Sequence, residues 1–177
     1  MGPAAIRAAE ARDAAAAAAI YAYHVAHGTA SFDTSPRSEA ETAAKIAECT
    51  GRGWPFLVAE LDGKVIGYAY ATQFRDRPAY RTTCENSIYL DPARLGQGVG
   101  TLLLAALVEA ATDAGFRQMI AVIGGAEPAS AALHARAGFT EAGRMRSVGR
   151  KQGRWLDTLY MQKGLGQRDS VPPEVEP

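Results

Sequence analysis

The chain has 177 residues, with 19 basic and 19 acidic side chains and 47% apolar residues, which is typical of one soluble domain with a substantial core. The balanced charge argues against nucleic acid or an anionic membrane surface as the main partner, and no run approaches the roughly 20 apolar residues of a membrane span. The two cysteines, Cys49 and Cys84, lie far apart, so we expect no disulfide framework and no zinc site, and a reducing cytoplasm fits best.

The first half of the chain predicts two helices followed by a β-hairpin. Asp13 can cap an alanine-rich helix, and Ser38 can cap a second one. Asp62 and Gly63 are typical of a tight hairpin turn between two apolar runs. In chain order, the predicted elements are a weak strand at 4–8, helices at 13–27 and 39–48, strands at 56–60 and 65–70, and a polar loop at 74–80.

The second half alternates strands and helices. Gly115 and Gly138 are placed to end the two helices. The predicted elements are strands at 82–90 and 119–123, helices after the glycine-rich loop and at 128–137, and terminal strands at 146–150 and 155–162. This order predicts an α/β (α+β) fold, a mixed sheet with helices on both faces. We expect a single domain over residues 1–165 and a disordered tail over 166–177.

A glycine-rich loop joins the strand at 82–90 to the helix that follows. It reads Leu95-Gly96-Gln97-Gly98-Val99-Gly100-Thr101. Glycines let the backbone turn sharply, and the first N–H groups of a helix have no partner within it, so such a loop can hold phosphate oxygens. A P-loop lysine and the spacing of a dinucleotide fingerprint are both missing. The loop alone leaves two interpretations open, an anion site and a plain strand-to-helix connection.

The order of elements and this loop resemble the GNAT superfamily of acetyl-CoA-dependent N-acetyltransferases. The resemblance covers about residues 6–165 and includes Gly98 and Gly100 in the glycine positions of the family's loop. Leu95 stands where relatives place Gln or Arg, and Glu127 stands near the place where many carry Asn. The first departure leaves the backbone cradle intact but removes one side-chain contact to phosphate.

Three segments resemble one branch, the phosphinothricin N-acetyltransferases, whose members also acetylate methionine sulfoximine and methionine sulfone. They are residues 83–90, the pair Leu133-His134 before Gly138-Phe139, and residues 148–157. The resemblance implies a GNAT-like, mostly antiparallel sheet of about seven strands, a homodimer, and acetyl-CoA as co-substrate without a metal.

The resemblance also implies where acetyl-CoA binds. Its phosphates would lie on the backbone of residues 95–101, and Leu90 N–H would stabilise the oxyanion. The residues implied for cofactor binding are Ile88, Tyr89, Leu90, Leu95, Gly96, Gln97, Gly98, Val99, Gly100, Thr101 and Ser130.

Two side chains are candidates for proton transfer. Glu85 shares a strand face with Ser87 and Tyr89, and a carboxylate inside a strand is costly unless it is paired or functional. It matches the family's catalytic glutamate, and burial would raise its pKa; the alternative is a surface salt bridge. His134, one helical turn after Ser130, matches an active-site histidine that could relay a proton or protonate the leaving thiolate. The alternative is a hydrogen-bonded core histidine.

Substrate recognition is expected from the polar loop. Arg75, Arg77 and Tyr80 match family positions that contact an amino-acid-like substrate, and two guanidinium groups can hold a carboxylate and a second oxyanion. The alternative is a solvated basic loop. Phe32 could pack on the substrate's aliphatic stem or anchor its own loop.

These expectations predict direct transfer of acetyl from acetyl-CoA to the α-amine of a small glutamate-like amino acid, with no acyl-enzyme. Phosphinothricin, methionine sulfoximine and methionine sulfone fit that description. The alternatives are acetylation of a peptide N-terminus or another amine, and a non-catalytic acyl-CoA-binding protein.

Overall fold

The structure is a computed structural model that describes residues 4–173 and contains one seven-stranded sheet with helices on both faces. The strands are β1 (Ala5–Ala8), β2 (Phe56–Leu61), β3 (Lys64–Gln73), β4 (Thr83–Leu90), β5 (Gln118–Gly124), β6 (Thr140–Lys151) and β7 (Arg154–Gly164). The helices are α1 (Ala14–His27), α2 (Glu39–Gly51), α3 (Val99–Asp113) and α4 (Pro128–Arg136).

The strand order is β1-β2-β3-β4-β5-β7-β6, and every neighbouring pair is antiparallel except β4 with β5. The parallel pair needs a crossover, which α3 supplies. The mixed, mostly antiparallel sheet predicted from the sequence is confirmed.

The parallel pair β4 and β5 separates part of the way along its length. The strands pair only over Thr83–Asn86 and Gln118–Ala121. Beyond that point β4 stays paired with β3 up to Leu90, and β5 stays paired with β7 up to Gly124. Two strand edges therefore face each other across a gap in the middle of the sheet.

A hydrophobic core lies on each face of the sheet. Leu103, Leu104 and Leu107 of α3 pack on one face and are fully buried. On the other face, α1 and α2 cover a stack of aromatic rings that includes Tyr68 and Tyr70 of β3. Because side chains alternate along a strand, β2, β3 and β4 contribute to both cores, whereas β5 and β7 contribute only to the core under α3.

Three local predictions are confirmed by backbone geometry. Ser38 accepts a hydrogen bond from Glu41 N–H at 3.2 Å, and the Glu41 carboxylate accepts one from Ser38 N–H at 2.7 Å, which forms a capping box at the start of α2. Asp62 and Gly63 have φ of 49° and 74° in the hairpin turn. Gly115 has φ of 90° at the position after Ala114, the residue that caps the C-terminus of α3.

The predicted role of Asp13 as the cap of α1 is wrong. Its side chain makes no capping hydrogen bond to α1. The carboxylate is instead only 4% exposed and binds both terminal nitrogens of Arg7, at 2.7 and 2.9 Å. It also accepts a hydrogen bond from Glu10 N–H, so Asp13 fastens the start of α1 to the edge strand β1.

Several element boundaries differ from the prediction. β6 begins at Thr140 rather than residue 146, because it is an edge strand exposed on both faces and lacks an alternating apolar pattern. β3 extends to Gln73, and the loop at 74–80 ends in a short 3-10 helix, Pro78–Tyr80.

The described part of the tail makes contacts with the body of the protein. Residues 166–169 form a turn, and Arg117 donates to the carbonyl oxygens of Arg168 and Val171. Residues 174–177 of the predicted tail lie outside the described residues. Within residues 4–173, no helix is long and apolar enough to cross a membrane.

We predict that Asp13→Asn lowers the free energy of unfolding by about 2 kcal/mol at neutral pH, because it breaks a buried ion pair. The Arg7 guanidinium holds the pKa of Asp13 below its usual value of 3.8. The Asp13 carboxylate therefore contributes stability above that pH, and the contribution disappears as the folded protein takes up the proton.

Urea unfolding of both proteins across acidic pH measures this effect. The difference between the wild type and D13N should shrink as the pH falls below 3.8. The exposed control Asp113→Asn should stay within about 0.5 kcal/mol of the wild type. A D13N difference that is independent of pH would contradict the assignment.

Candidate active site

A cavity of about 250 Å³ occupies the gap between β4 and β5. Residues of both strands, of α4 and of the loop between α1 and α2 line it. The lining residues are Ala30, Ser31, Phe32, Glu85, Asn86, Ser87, Ile88, Tyr89, Ala121, Val122, Ile123, Gly124, Ser130, His134 and Thr158. Within residues 4–173, no cluster of three or more His, Cys, Asp or Glu side chains is placed to hold a metal ion.

The backbone of β4 presents hydrogen-bonding groups to this gap. Phe74 N–H donates to Thr83 O at one end of the β3–β4 ladder, and Asp91 N–H donates to Ile66 O at the other. Because hydrogen-bonding direction alternates along a strand, Ile88 and Leu90 direct their N–H and C=O groups away from β3 and towards the gap.

One of these backbone groups, the carbonyl oxygen of Leu90, accepts a hydrogen bond from His24 on α1. The Nε2 atom of His24 lies 2.7 Å from this oxygen. The N–H of Leu90 and both backbone groups of Ile88 then face the gap with no strand opposite. This exposed edge can bind an extended ligand in the manner of an added strand.

The two predicted proton-transfer residues lie on opposite faces of the sheet. Glu85 shares the α1–α2 face with Ser87 and Tyr89, and Tyr89 packs against the core on that face. His134 of α4 lies on the other face, beside Asn86. Both line the same cavity, because the gap opens through the sheet.

His134 is buried and neutral. Its Nδ1 lies 2.8 Å from the carbonyl oxygen of Ser130, which can only accept, so Nδ1 carries the proton. Its Nε2 therefore accepts a hydrogen bond from the side-chain amide of Asn86 at 2.9 Å. Burial lowers the pKa of His134 below its usual 6.5.

Glu85 is half-buried at the cavity wall. Burial raises the pKa of its carboxyl above 4.5, and the nearby Arg75 opposes that shift. No residue between 4 and 173 forms a salt bridge with Glu85. The structure therefore does not contain the surface ion pair that was the alternative interpretation, and the carboxylate is free to accept a proton.

The glycine-rich loop has the backbone geometry of an anion cradle. Gly96 and Gly98 have φ of 73° and 82°, which side-chain-bearing residues rarely adopt, and α3 begins at Val99. In the described chain, the N–H groups of Gly98, Val99 and Gly100 donate to no protein acceptor. Three free donors at the N-terminus of a long helix fit phosphate oxygens.

Gly100 has a different role from the other two loop glycines. A Cβ at this position would lie 3.2 Å from Leu90 Cδ1 and 3.4 Å from Leu133 Cδ2. The missing side chain lets α3 approach β4 and α4 closely. Leu95 is 55% exposed, and neither it nor the rest of the loop lines the cavity.

Glu127 has a clear structural role at the start of α4. It is the N-cap residue of that helix, and its carboxylate accepts a hydrogen bond from Ser130 N–H at 2.8 Å. An asparagine could cap the helix in the same way, so this replacement preserves the position of Ser130 and His134.

Phe32 closes one side of the cavity by packing against two glycines. A Cβ at Gly149 would lie 2.3 Å from its ring, and one at Gly124 would lie 3.1 Å from it. Lys151 is 8% exposed and donates to Ser31 O at 2.8 Å. The turn between β6 and β7 therefore holds the α1–α2 loop over the gap.

Arg75, Arg77 and Tyr80 are exposed and do not line the cavity. The backbone of their loop nevertheless has a fixed conformation, since the Gln73 amide donates to the carbonyl oxygens of Arg75 and Arg77 at 2.6 and 3.0 Å. The loop begins directly after Gln73, which pairs with Cys84 next to Glu85, so it lies at the Glu85 end of the gap.

Sequence reasoning missed several polar residues of the site. Asn86 stands next to Glu85, but nothing in the sequence pairs it with His134. His24, Ser31 and Thr158 are single polar residues in apolar or loop segments, which carry no pattern. They reach the gap only through the packing of α1, the α1–α2 loop and β7.

Comparisons with known proteins agree with this geometry. A family model described as an acetyltransferase (GNAT) domain matches residues 6–160. A phosphinothricin N-acetyltransferase of Alcaligenes faecalis is 48% identical over 92% of this chain and 83% of its own length. A methionine sulfoximine and methionine sulfone acetyltransferase of Pseudomonas aeruginosa is 39% identical over 87% of this chain and 90% of its own.

A solved structure shares the fold closely. It is a phosphinothricin acetyltransferase from Sinorhizobium meliloti in complex with acetyl-CoA. It superposes with a TM-score of 0.94 at 48% identity and covers 97% of this chain and 94% of its own.

We predict that nitrogen-15 NMR finds His134 protonated on Nδ1 alone at neutral pH, titrating below 6.5. The His134→Gln variant identifies the His134 signals, because they are missing from its spectrum. Asn86→Asp replaces the amide donor with an acceptor, so it should raise the pKa of His134 by favouring a proton on Nε2. A proton on Nε2 in the wild type, or an unchanged pKa of His134 in N86D, would contradict the hydrogen bond from Asn86 to His134.

Proposed function

The chain belongs to the GNAT acetyltransferase family, whose co-substrate is acetyl-CoA, and from that membership we propose that it acetylates the α-amine of a small amino acid. The substrate class is that of phosphinothricin, methionine sulfoximine and methionine sulfone. One observation carries the proposal: the gap between β4 and β5 brings a free strand edge and an unpaired carboxylate, Glu85, to one cavity. The relatives with 48% and 39% identity support the substrate class.

The backbone of this chain can hold acetyl-CoA, which supplies the thioester that the amine attacks directly. The free N–H groups of Gly98, Val99 and Gly100 suit its phosphates, and the open edge at Ile88 and Leu90 suits its extended arm. Leu90 N–H is the donor we assign to the thioester oxygen as it becomes negative, a contribution of about 3 kcal/mol in other enzymes.

Glu85 is the base that we propose for the substrate ammonium, directly or through one water. Its position at the cavity wall and its raised pKa suit a carboxylate that must take a proton and release it again. For His134 the hydrogen bonds favour a positioning role over proton donation, because Nε2 carries no proton and accepts from Asn86.

The substrate side of the site is formed by the α1–α2 loop and the loop at 74–80. We propose that Phe32 contacts the aliphatic stem of the substrate, since it lines the cavity. Arg75, Arg77 and Tyr80 stand at the Glu85 end, where they can contact oxygen atoms of the substrate's side chain.

We also propose that the protein is a cytoplasmic homodimer. Three large apolar side chains, Met145, Val148 and Trp155, are exposed by 43%, 50% and 63% on the β6–β7 hairpin. An exposed apolar group on an edge strand is suited to a contact with a second copy. The two cysteines, Cys49 and Cys84, are buried thiols, which fits a reducing compartment.

We predict that the protein releases thiol from acetyl-CoA with phosphinothricin, methionine sulfoximine or methionine sulfone. A peptide with a free N-terminus should give a kcat/KM lower by about tenfold or more, because it carries no carboxylate beside its amine. Steady-state thiol release across these amines measures the preference. Binding of acetyl-CoA without turnover of any amine would favour the non-catalytic alternative.

We predict that Glu85→Gln lowers kcat/KM by about a hundredfold at neutral pH, in the usual range for loss of a general base. The loss should shrink at high pH, where solvent deprotonates the amine without help. The exposed control Glu109→Gln should behave as the wild type at every pH. A constant ratio between E85Q and wild type across the pH range would rule out this role.

A further inference from the structure

Arg37 is a half-buried arginine just before α2, on the same face of the sheet as Glu85. Its guanidinium carbon lies 4.4 Å from the centre of the Tyr21 ring and 5.8 Å from that of Tyr70. One terminal nitrogen donates to the Tyr70 hydroxyl at 3.2 Å. The side chain is thus fixed between two aromatic rings rather than extended into solvent.

The positive charge of Arg37 is not part of an ion pair among residues 4–173, although Glu41, whose pKa is lowered by the hydrogen bonds of its capping box, is near enough for Arg37 to lower that pKa further. No carboxylate of residues 4–173 lies within 4.0 Å of it. Asp33, in the nearby loop, is engaged by the Tyr21 hydroxyl instead. A guanidinium has five N–H donors, and burying this charged group without an anion beside it is costly in free energy. The arrangement suits a charge that is paired when a ligand binds.

The tyrosines around Arg37 connect it to the wall of the cavity. Tyr70 is the β3 partner of Ser87. The Tyr21 ring packs edge-on against Tyr89 with centroids 5.0 Å apart, and its hydroxyl lies 2.9 Å from Ser31 Oγ. Ser87, Tyr89 and Ser31 all line the cavity. Arg37 itself does not line the cavity, and these contacts place it behind the wall that Ser31, Ser87 and Tyr89 form.

We propose that Arg37 binds the α-carboxylate of the amino-acid substrate and so selects amino acids over simple amines. This inference rests on the proposed function. The α-carboxylate is attached to the carbon that bears the reacting amine, so it must lie near the open edge of β4. Ser87, the strand partner of Tyr70, lies between Glu85 and Leu90 on that strand.

The positions and burial of the arginines favour Arg37, rather than Arg75 or Arg77, as the partner of the α-carboxylate. Tyr70 and Thr72 pair with Ser87 and Glu85, so the Arg37 side lies about 7 Å along the strand from the Glu85 end. Arg75 and Arg77 are exposed at that end, where water screens their charge. The half-buried Arg37 has the stronger field for a carboxylate present in every substrate of the class.

The experiment compares Arg37→Gln, Arg37→Lys and wild type with two substrates, methionine sulfone and its α-carboxamide. The first carries a single carboxylate and a neutral side chain, and the second lacks the anion. For methionine sulfone, R37Q should raise KM by about tenfold to a hundredfold, the usual effect of losing a hydrogen bond to a charged group, and R37K should recover part of it. For the carboxamide, R37Q and wild type should have similar kcat/KM.

The matched control is Arg52→Gln, which removes an exposed arginine stacked on Trp54, outside the site. It should leave both substrates unchanged, and acetyl-CoA binding and thermal unfolding should report that each variant is folded. If wild type turns over neither substrate, the proposed function fails. If wild type is active and R37Q matches it on methionine sulfone, or loses both substrates equally, this inference fails alone. Phosphinothricin serves as a third substrate, and a loss confined to it would assign Arg37 to the side-chain oxyanion and overturn the proposal.

Discussion

β4 and β5 separate in the middle of the sheet, and this separation creates the candidate active site. Backbone N–H and C=O groups inside a sheet are satisfied by a neighbouring strand, and here Ile88 and Leu90 lose that neighbour in the middle of the molecule. The unpaired edge is useful only if a ligand completes it. α4 lines the gap on one face, and the loop between α1 and α2 lines it on the other.

Local sequence signals predicted the parts of this arrangement that depend on neighbouring residues. Ser38 and Glu41 form a capping box, and Asp62-Gly63 makes the turn, because these preferences belong to a few consecutive residues. The loop around Gly98 left two interpretations open, an anion site and a plain connection, and only the family resemblance favoured the first. The family resemblance supplied Glu85 and His134, and the structure places both at one cavity.

Contacts between distant segments could not be predicted from the sequence. Asp13 is a good capping residue by local rules, but Arg7 on β1 lies within 2.7 Å of it, and a bidentate ion pair that Arg7 also shares with Glu60 of β2 replaces the cap. The hydrogen bond from Asn86 to His134 joins residues 48 positions apart, and it satisfies the ring nitrogen that the Ser130 carbonyl leaves without a proton. Arg37 likewise depends on Tyr70, 33 positions away.

The gap between β4 and β5 is open through the sheet, with Glu85 reaching it from one face and His134 from the other. Two ligands can therefore enter from opposite sides and be held together, so neither must leave before the second arrives. We therefore expect acetyl transfer within a ternary complex, with a sequential rather than a ping-pong steady-state rate law. On this proposal, the kinetic order follows from the shape of the sheet before any side chain is considered.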